Sequence, residues 1–312
     1  MIGLLSVLLI AAVALDLVIG EPPSKLHPVV WIGSLISALD GQGRGRSYGV
    51  LVFVVTLVFA WALWLIPYFL LIKYSLLVPL LLVLWVYLLK SSFSWKLMRS
   101  YGKRIALALE IGDLEAARKL TSEIVRRDLA DADEGLIASA AIESIAEGEV
   151  DGLTSPLLYY PFGILGPLAQ RAINTLDSMV GYPYPPFRDV GWASAKADTI
   201  LNYVPARLTS LLIAIAALLI GLNWRESVAA ALRDHRKTKS ANGGWPMSAM
   251  AGALGVRLVK RGEYELGSGN LPSASEIRLA IRVYDVSASM FVAMVAALSF
   301  FPLFAATFPR FA

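Results

Sequence analysis

The chain has 312 residues, of which 57% are hydrophobic and 17% charged, with a formal net charge of +4. Soluble domains carry roughly 25% charged residues, so this composition excludes an ordinary soluble protein and predicts a helical membrane protein. The chain has no cysteine and two histidines, which excludes disulfides, thiolate metal sites, a cysteine nucleophile and a histidine-rich metal site. The net charge is typical of basic cytoplasmic loops, and no nucleic-acid partner is expected.

Several apolar windows are long enough to cross a bilayer, which takes roughly 20 helical residues. They lie at 2–19, 50–72, 74–89, 204–222 and 286–308. The window 156–173 holds Pro161 and Pro167, and is predicted to be either a broken span or a re-entrant segment. The sequence therefore predicts an all-α, polytopic fold of five to six spans in a single integral-membrane domain over 1–312.

The charged loops predict the orientation of the chain. Residues 90–154 carry nine Lys and Arg, residues 223–285 carry ten, and residues 20–48 carry three. The positive-inside rule then places these loops in the cytoplasm, with 90–154 as a helical loop and 223–285 as a basic loop. If 156–173 crosses the membrane, both termini lie outside, and so does 174–200, away from the other loops.

Two helices are predicted within 90–154. Asp113 can N-cap a helix that runs to Arg127, and Asp133 can N-cap a second one. Apolar residues follow Asp133 at helical spacing: Leu136, Ile137, Ala140, Ala141 and Ile145. This pattern predicts a helical hairpin on the membrane surface.

Three carboxylates in the second of these helices are spaced by four residues, which places Glu143, Glu147 and Asp151 on one helix face. Such a face could hold Mg²⁺ for a nucleotide phosphate. It could equally be a solvated acidic surface, and spacing does not separate the two interpretations.

Two polar runs beside apolar segments point to an enzyme rather than a channel. One runs from Asn174 to Tyr182 and includes Asp177 and Ser178. Polar groups near a bilayer are costly unless they are paired or hydrated. The second run holds Lys196, Asp198, Asn202 and Arg207. Arg207 lies inside an apolar boundary, so it needs Asp177, Asp198 or a substrate phosphate as its partner, unless it snorkels from a helix end.

A third polar segment, from Ser240 through Asn242 to Trp245, follows a basic run that extends from Arg233 to Lys239. Its backbone N–H groups could bind a phosphate, or it could be a plain turn. No Walker or dinucleotide-binding glycine motif occurs in the chain. Near the N-terminus, Asp16 lies in an apolar helix, and His27 could contact a substrate anion, transfer a proton or be structural.

In this order, the residues resemble the adenosylcobinamide-phosphate synthase family, also called CobD/CbiB. The resemblance covers nearly the whole chain. The matching segments are Asp16, Gly20–Pro23, His27–Val29, Arg127–Asp128, Glu143, Ala146–Glu147, Asp151–Gly152, Pro156–Leu157, Asn174–Tyr182, Asn202, Pro205–Arg207, Asn242 and Gly244–Pro246. The chain departs from the usual family pattern at Gly148, Ala197, Ala241 and Met247.

The resemblance implies an ATP-dependent ligase that joins adenosylcobyric acid to aminopropanol phosphate or ethanolamine phosphate, giving adenosylcobinamide phosphate. It implies ATP and Mg²⁺ as cofactors, a multi-pass location in the cell membrane with the active site on the cytoplasmic side, and other membrane-bound cobalamin-biosynthesis enzymes as partners. Two alternatives stay open: a transporter lined by Asp16, Asp177 and Arg207, and a non-catalytic AmpE-like membrane sensor.

Together, the residues and the resemblance predict a set of site residues. The catalytic residues are expected to be Glu143, Glu147, Asp177, Asp198 and Arg207. The substrate-binding residues are expected to be His27, Asn174, Ser178, Asn202, Ser240 and Asn242. Glu147 and Asp151 are expected to hold Mg²⁺.

Overall fold

The computed structural model describes residues 3–39 and 41–300, and the secondary structure there is almost entirely helical. The helices are α1 Leu4–Val18, α2 Pro28–Ala38, α3 Arg46–Leu71, α4 Val78–Ser92, α5 Lys96–Glu110, α6 Leu114–Ser122, α7 Glu134–Glu149, α8 Ser155–Leu158, α9 Leu165–Val180, α10 Trp192–Leu201, α11 Tyr203–Leu219, α12 Trp224–Asp234, α13 Gly244–Leu254 and α14 Ala274–Phe300. A hairpin of β1 Arg257–Lys260 and β2 Tyr264–Gly267 pairs antiparallel, with Arg257 opposite Gly267.

The chain divides into two compact units. The first contains the described residues of Met1–Ser94, Ser155–Leu201 and Val292–Ala312, and the second contains Trp95–Thr154 and Asn202–Phe291. Residues 95–154 and 223–285, which include nearly all of the two loops predicted to be cytoplasmic, therefore belong to one unit. Their location in the cytoplasm, and the single membrane domain over 1–312, stay predictions.

Three helical segments in the described residues are long and apolar enough to cross a membrane: Arg46–Leu71, Ser75–Ser92 and Ala274–Phe300. A fourth is added only if α10 and α11 together count as one broken span. The predicted number of five to six spans is not confirmed. The helix in the first predicted window, α1, has 15 residues, fewer than the roughly 20 that a span needs. Residues 301–308 of the last predicted window lie outside the described residues.

The window 156–173 is interrupted, as the sequence indicated. It consists of the end of α8, a 3₁₀ turn Tyr160–Phe162 and the first half of α9. Pro161 lies in that turn, and Gly163 follows with φ of 97°, a left-handed conformation that favours glycine. The Asn174 run up to Val180 therefore belongs to a helix, α9, and whether the window 156–173 crosses the membrane stays a prediction.

In the first unit, α9 packs against α2, α3 and α10. Its small and apolar residues Ala172 and Leu176 join a core with Ile32, Ile36, Val52 and Ala60. This packing fixes α9 within the first unit, with Asn174 among its buried residues.

In the second unit, α7 forms the core. Every residue from Leu136 to Ala146 is buried, and the helix packs against α5, α6, α13 and β1. Over this stretch α7 is an interior helix that is buried on all sides, rather than a helix with one exposed face, and the location of the predicted helical hairpin on the membrane surface stays a prediction. The predicted N-caps are confirmed: Asp113 accepts from Ala116 N and Asp133 from Leu136 N, each at 2.9 Å. The first helix ends at Ser122, however, and not at Arg127.

Candidate active site

The three spaced carboxylates differ in burial and in the helix geometry around them. Glu143 is buried, and its Oε1 accepts from Arg127 Nη2 at 3.0 Å and from Ser139 Oγ at 2.9 Å. Its Oε2 accepts from the Tyr264 hydroxyl at 2.8 Å. Glu147, one turn later, is exposed. Glu143 thus forms an internal ion pair with Arg127, and its bond to Tyr264 links α7 to the β1–β2 hairpin. Its catalytic role stays a prediction.

Tyr264, on β2, carries no signal in the sequence. Burial raises the pKa of its phenol above the usual range, and the nearby negative charges of Glu143 and Glu147 raise it further. The phenol therefore stays protonated and donates to Glu143. Met247, one of the departures from the family pattern, lies 4.0 Å from this hydroxyl through its sulfur.

Asp151 lies in a π-helical turn, Val150–Thr154, that follows α7. Thr154 Oγ1 donates to the Glu149 carbonyl at 2.8 Å within this turn. The backbone between Glu147 and Asp151 therefore changes from α-helical to π-helical geometry. Asp151 contacts the residue that precedes α11: its Oδ1 accepts from Asn202 Nδ2 at 3.2 Å. The structure thus brings together two predicted site residues 51 positions apart in the chain.

Glu147 lies against the Ser240–Trp245 segment. A methyl group built on Gly243 would stand 2.8 Å from Glu147 Oε1, so only glycine fits there without displacing the carboxylate. Ser240 Oγ accepts from Asn242 N at 3.3 Å and from Gly243 N at 3.0 Å. The serine hydroxyl is therefore engaged in shaping the turn that leads into α13.

Arg207, in the second turn of α11, reaches the same segment. Its Nη1 donates to Asn242 Oδ1 at 2.9 Å and to the Tyr203 carbonyl at 2.8 Å, and its Nη2 donates to the Ala241 carbonyl at 3.4 Å. Asp177 and Asp198, the carboxylates expected as its partners, belong to the first unit, and their pairing with Arg207 stays a prediction.

The basic run before this segment is partly neutralised. Asp234 is fully buried and pairs with Arg233 at 3.1 Å and Lys237 at 2.7 Å. It also accepts from Gly267 N at 2.9 Å, which attaches the run to the hairpin. Burial alone would raise the pKa of Asp234, but these hydrogen bonds outweigh it and lower the pKa below its usual range. The sequence did not reveal this residue, and it reduces the positive charge that the run offers to an anion.

The donor set for Mg²⁺ consists of Glu147 and Asp151, with amide oxygens nearby. Within residues 3–39 and 41–300, no group of three or more His, Asp or Glu side chains could hold a metal ion. Protein-bound Mg²⁺ usually takes one or two carboxylates and completes its shell with water and substrate phosphates. The two carboxylates therefore fit Mg²⁺ that arrives with a phosphate substrate, rather than a resident structural ion.

The site residues predicted in α9 and α10 of the first unit make contacts within that unit. Asn174 Nδ2 donates to Asp198 Oδ1 at 3.3 Å, which links α9 to α10. Asp177 lies over Gly181, where a built methyl group would be 1.9 Å from its Oδ1. The carbonyl of Ser178 accepts from the Tyr182 hydroxyl at 3.2 Å. The run is thus held together by local contacts, and its role toward substrate stays a prediction.

His27 belongs to an ion network inside the first unit. Its Nδ1 accepts from Val29 N at 3.2 Å, which N-caps α2, and its Nε2 lies 2.9 Å from Glu21 Oε2. Lys90 Nζ contacts both Glu21 at 2.9 Å and Asp16 at 3.0 Å. Asp16 and Lys90 are buried, so each offsets the other's charge. These contacts are structural, and substrate binding by His27 stays a prediction.

Comparisons with known proteins agree on one family. A family profile described as "CobD/Cbib protein" matches residues 9–292. "Probable cobalamin biosynthesis protein CobD" of Methanothermobacter thermautotrophicus is 43% identical over 83% of this chain and 86% of its own length. The protein of the same name in Thermoplasma volcanium is 37% identical over 92% and 94%. "Cobalamin biosynthesis protein CobD" of Dehalococcoides mccartyi is 34% identical over 84% and 86%. No solved structure gives a significant match. The chain belongs to the CobD/CbiB family.

Proposed function

We propose that this protein acts in cobalamin biosynthesis as a membrane-bound, ATP-dependent ligase. It joins the carboxylate of adenosylcobyric acid to the amine of aminopropanol phosphate or ethanolamine phosphate. A carboxylate and an amine do not condense in water, so the carboxylate must first be activated. Transfer of the terminal phosphoryl group of ATP to the carboxylate oxygen gives an acyl phosphate and ADP. The amine nitrogen then attacks the acyl carbon, loses a proton and displaces inorganic phosphate.

One observation carries this proposal: a ring of neighbouring residues in the second unit combines the carboxylates of Glu147 and Asp151 with the guanidinium of Arg207. Asp151 contacts Asn202, the residue that precedes α11. In the second turn of that helix, Arg207 contacts Asn242. Gly243, the next residue, lies against Glu147, one turn before Asp151. The ring thus offers ligands for a divalent cation and donors for a phosphate side by side.

Each residue of the ring has a role suited to phosphoryl transfer. Arg207 and the amide of Asn242 bind and orient phosphate oxygens, since positioning and charge neutralisation supply most of the catalysis in such reactions. Asn202 holds the Asp151 carboxylate in place. Glu147 and Asp151 would hold Mg²⁺, whose charge would stabilise the transferring phosphoryl group.

The membrane location supports the same proposal. Three to four candidate spans would anchor the site beside a lipid surface, where a large corrin ring with apolar edges can lie. We place the active site on the cytoplasmic side of the cell membrane, because the second unit contains nearly all of the basic residues that the positive-inside rule assigns there. Other membrane-bound enzymes of cobalamin biosynthesis are the expected partners.

The test is amide formation by the purified, detergent-solubilised protein. Adenosylcobyric acid, ATP, Mg²⁺ and either amino-alcohol phosphate are supplied, and the amide and ADP are measured by chromatography and mass spectrometry. Asp151→Asn should lower turnover by at least about tenfold, since loss even of a residue that only orients a metal ligand typically costs about 10- to 100-fold. Glu265→Gln, an exposed carboxylate on β2 that pairs with Arg257 at 3.3 Å, is the matched control and should keep full activity.

The outcome separates the proposal from its alternatives. Wild-type protein that forms neither amide nor ADP contradicts the ligase. Uptake of a corrinoid into vesicles that contain such a protein would identify a transporter. Absence of both activities would favour the AmpE-like sensor.

A further inference from the structure

Arg207 is surrounded by aromatic rings as well as by hydrogen-bond acceptors. Its Cζ lies 3.5 Å from the centre of the Tyr203 ring and 5.1 Å from the centre of the Trp245 ring. Trp245 in turn stacks on His235, with ring centres 3.9 Å apart and planes inclined by 24°. Tyr203 is more than half exposed. Two rings, one from α11 and one from α13, therefore flank the guanidinium, and His235 supports the second of them.

The hydrogen bonds of Arg207 leave part of the guanidinium free. An arginine has five N–H donors, and this one donates twice from Nη1 and once, over 3.4 Å, from Nη2. All three acceptors are neutral oxygens. In the described part of the second unit, the Nε–H donates to no acceptor, and no carboxylate pairs with the guanidinium. The Nε–Nη2 edge thus makes only the 3.4 Å contact with the Ala241 carbonyl, and is here called the free edge.

The aromatic contacts and the free edge have one combined consequence. A long arginine side chain is normally mobile, but stacking on Tyr203 and the bonds to Asn242 and Tyr203 restrict it to one orientation. Cation–π contacts with Tyr and Trp stabilise the positive charge without occupying N–H donors. The side chain is thus prepared to receive an anion with two oxygens, in the bidentate geometry that guanidinium groups form with phosphate.

We infer that Tyr203 and Trp245 are positioning residues that hold Arg207 so that its Nε–Nη2 edge binds a phosphate group. The identity of that group as a substrate phosphate rests on the proposed function, whereas the anion site itself does not. The inference explains why these two rings, which sequence analysis did not identify as site residues, flank the cation. It also predicts that lysine cannot replace Arg207, because an ammonium group lacks the planar fork.

The test measures binding of inorganic pyrophosphate to the full-length protein in detergent by calorimetry. Tyr203→Leu removes the ring and should weaken binding about tenfold, the loss expected for one partly exposed cation–π contact. Tyr203→Phe retains the ring and should restore the affinity that the leucine variant loses. Arg207→Lys should weaken binding at least as much as Tyr203→Leu.

A second arginine provides the matched control. Arg225 lies 5.5 Å from the ring of Trp224 at the start of α12, is exposed and lies outside the ring of site residues. Arg225→Lys should leave pyrophosphate binding unchanged. The melting temperature of each variant shows whether it is folded, and Trp245→Phe, which retains a ring, tests the second contact if Tyr203→Leu does not fold.

The outcomes are separable from those of the ligation assay. Normal pyrophosphate binding by folded Tyr203→Leu would overturn the positioning role while the ligase function stands. Absence of pyrophosphate binding by the wild-type protein, at millimolar concentration, would overturn the anion site. Binding that depends on Arg207 and Tyr203, in a protein without ligase activity, would support the inference and reject the proposed function.

Discussion

Glu143 and Glu147 are one helical turn apart, and we predict that they have different roles. The side chains of Glu143 and Arg127 are 6% and 16% exposed. Removing one partner of a buried ion pair costs about 3–5 kcal/mol, because the remaining charge has no partner. Glutamine keeps the shape of Glu143 and an acceptor for Ser139, and Arg127 also donates to Val259 O at 3.2 Å, so we expect the lower end of this range.

A loss of about 3 kcal/mol corresponds to a fall in melting temperature of roughly 6–12 °C for a compact unit of this size. Thermal unfolding in detergent, followed by circular dichroism, measures it for Glu143→Gln. The matched control is Glu147→Gln on the same helix. Because Glu147 is exposed, that change should alter the unfolding free energy by no more than about 0.5 kcal/mol.

The two variants should also differ in turnover in the ligation assay. Glu147→Gln is expected to lose turnover while keeping its stability. If Glu143→Gln unfolds at the wild-type temperature but has no ligase activity, the reasoning is refuted, and Glu143 acts in the chemistry rather than in the fold.

Three further predictions concern Glu147, Glu149 and Ser178. Glu147→Gln should raise the Mg²⁺ concentration needed for half-maximal turnover, and an unchanged Mg²⁺ dependence would favour a solvated carboxylate. Burial raises the pKa of Glu149 well above 4.5, although Ser287 donates to it. The folded state therefore keeps a proton that the unfolded state releases, and stability falls as pH rises above about 4.5. The stability gained in Glu149→Gln should thus be larger at pH 8 than at pH 5, and an equal gain at both would contradict the buried acid. Ser178→Cys, in a chain without other cysteines, should react with membrane-impermeant maleimide only from the cytoplasmic side. Labelling from outside would contradict a cytoplasmic location for the Asn174 run.

The sequence predicted features that depend on neighbours in the chain. The N-caps Asp113 and Asp133 were found because a cap depends on the next three residues. The interruption near Pro161 was found because proline lacks a backbone donor. The number of five to six spans is not confirmed: a hydropathy window measures apolar length without measuring where a helix begins and ends, and three to four helical segments in the described residues are long and apolar enough to cross a membrane.

The contacts of the candidate site depend on residues distant in the chain, and the sequence could not pair them. Lys90 was counted as a loop residue, although it is the buried partner of Asp16. Tyr264 bonds to Glu143 from 121 residues away. The π turn around Asp151 has no pattern of its own in the sequence, and the contact of Asp151 with Asn202, 51 residues away, could not be predicted.

The division of the chain into two units has a consequence for how the protein is made. Neither unit is a continuous stretch of chain, since residues 95–154 interrupt the first and residues 155–201 interrupt the second. During synthesis, α3 emerges long before α9, its principal packing partner, so α3 cannot make this contact until residues 95–154 of the second unit have been made. Contacts between residues so distant in sequence slow folding. Removal of the C-terminal part of the chain from any loop would therefore remove part of both units, and separating them requires a rearranged gene that rejoins the segments of each.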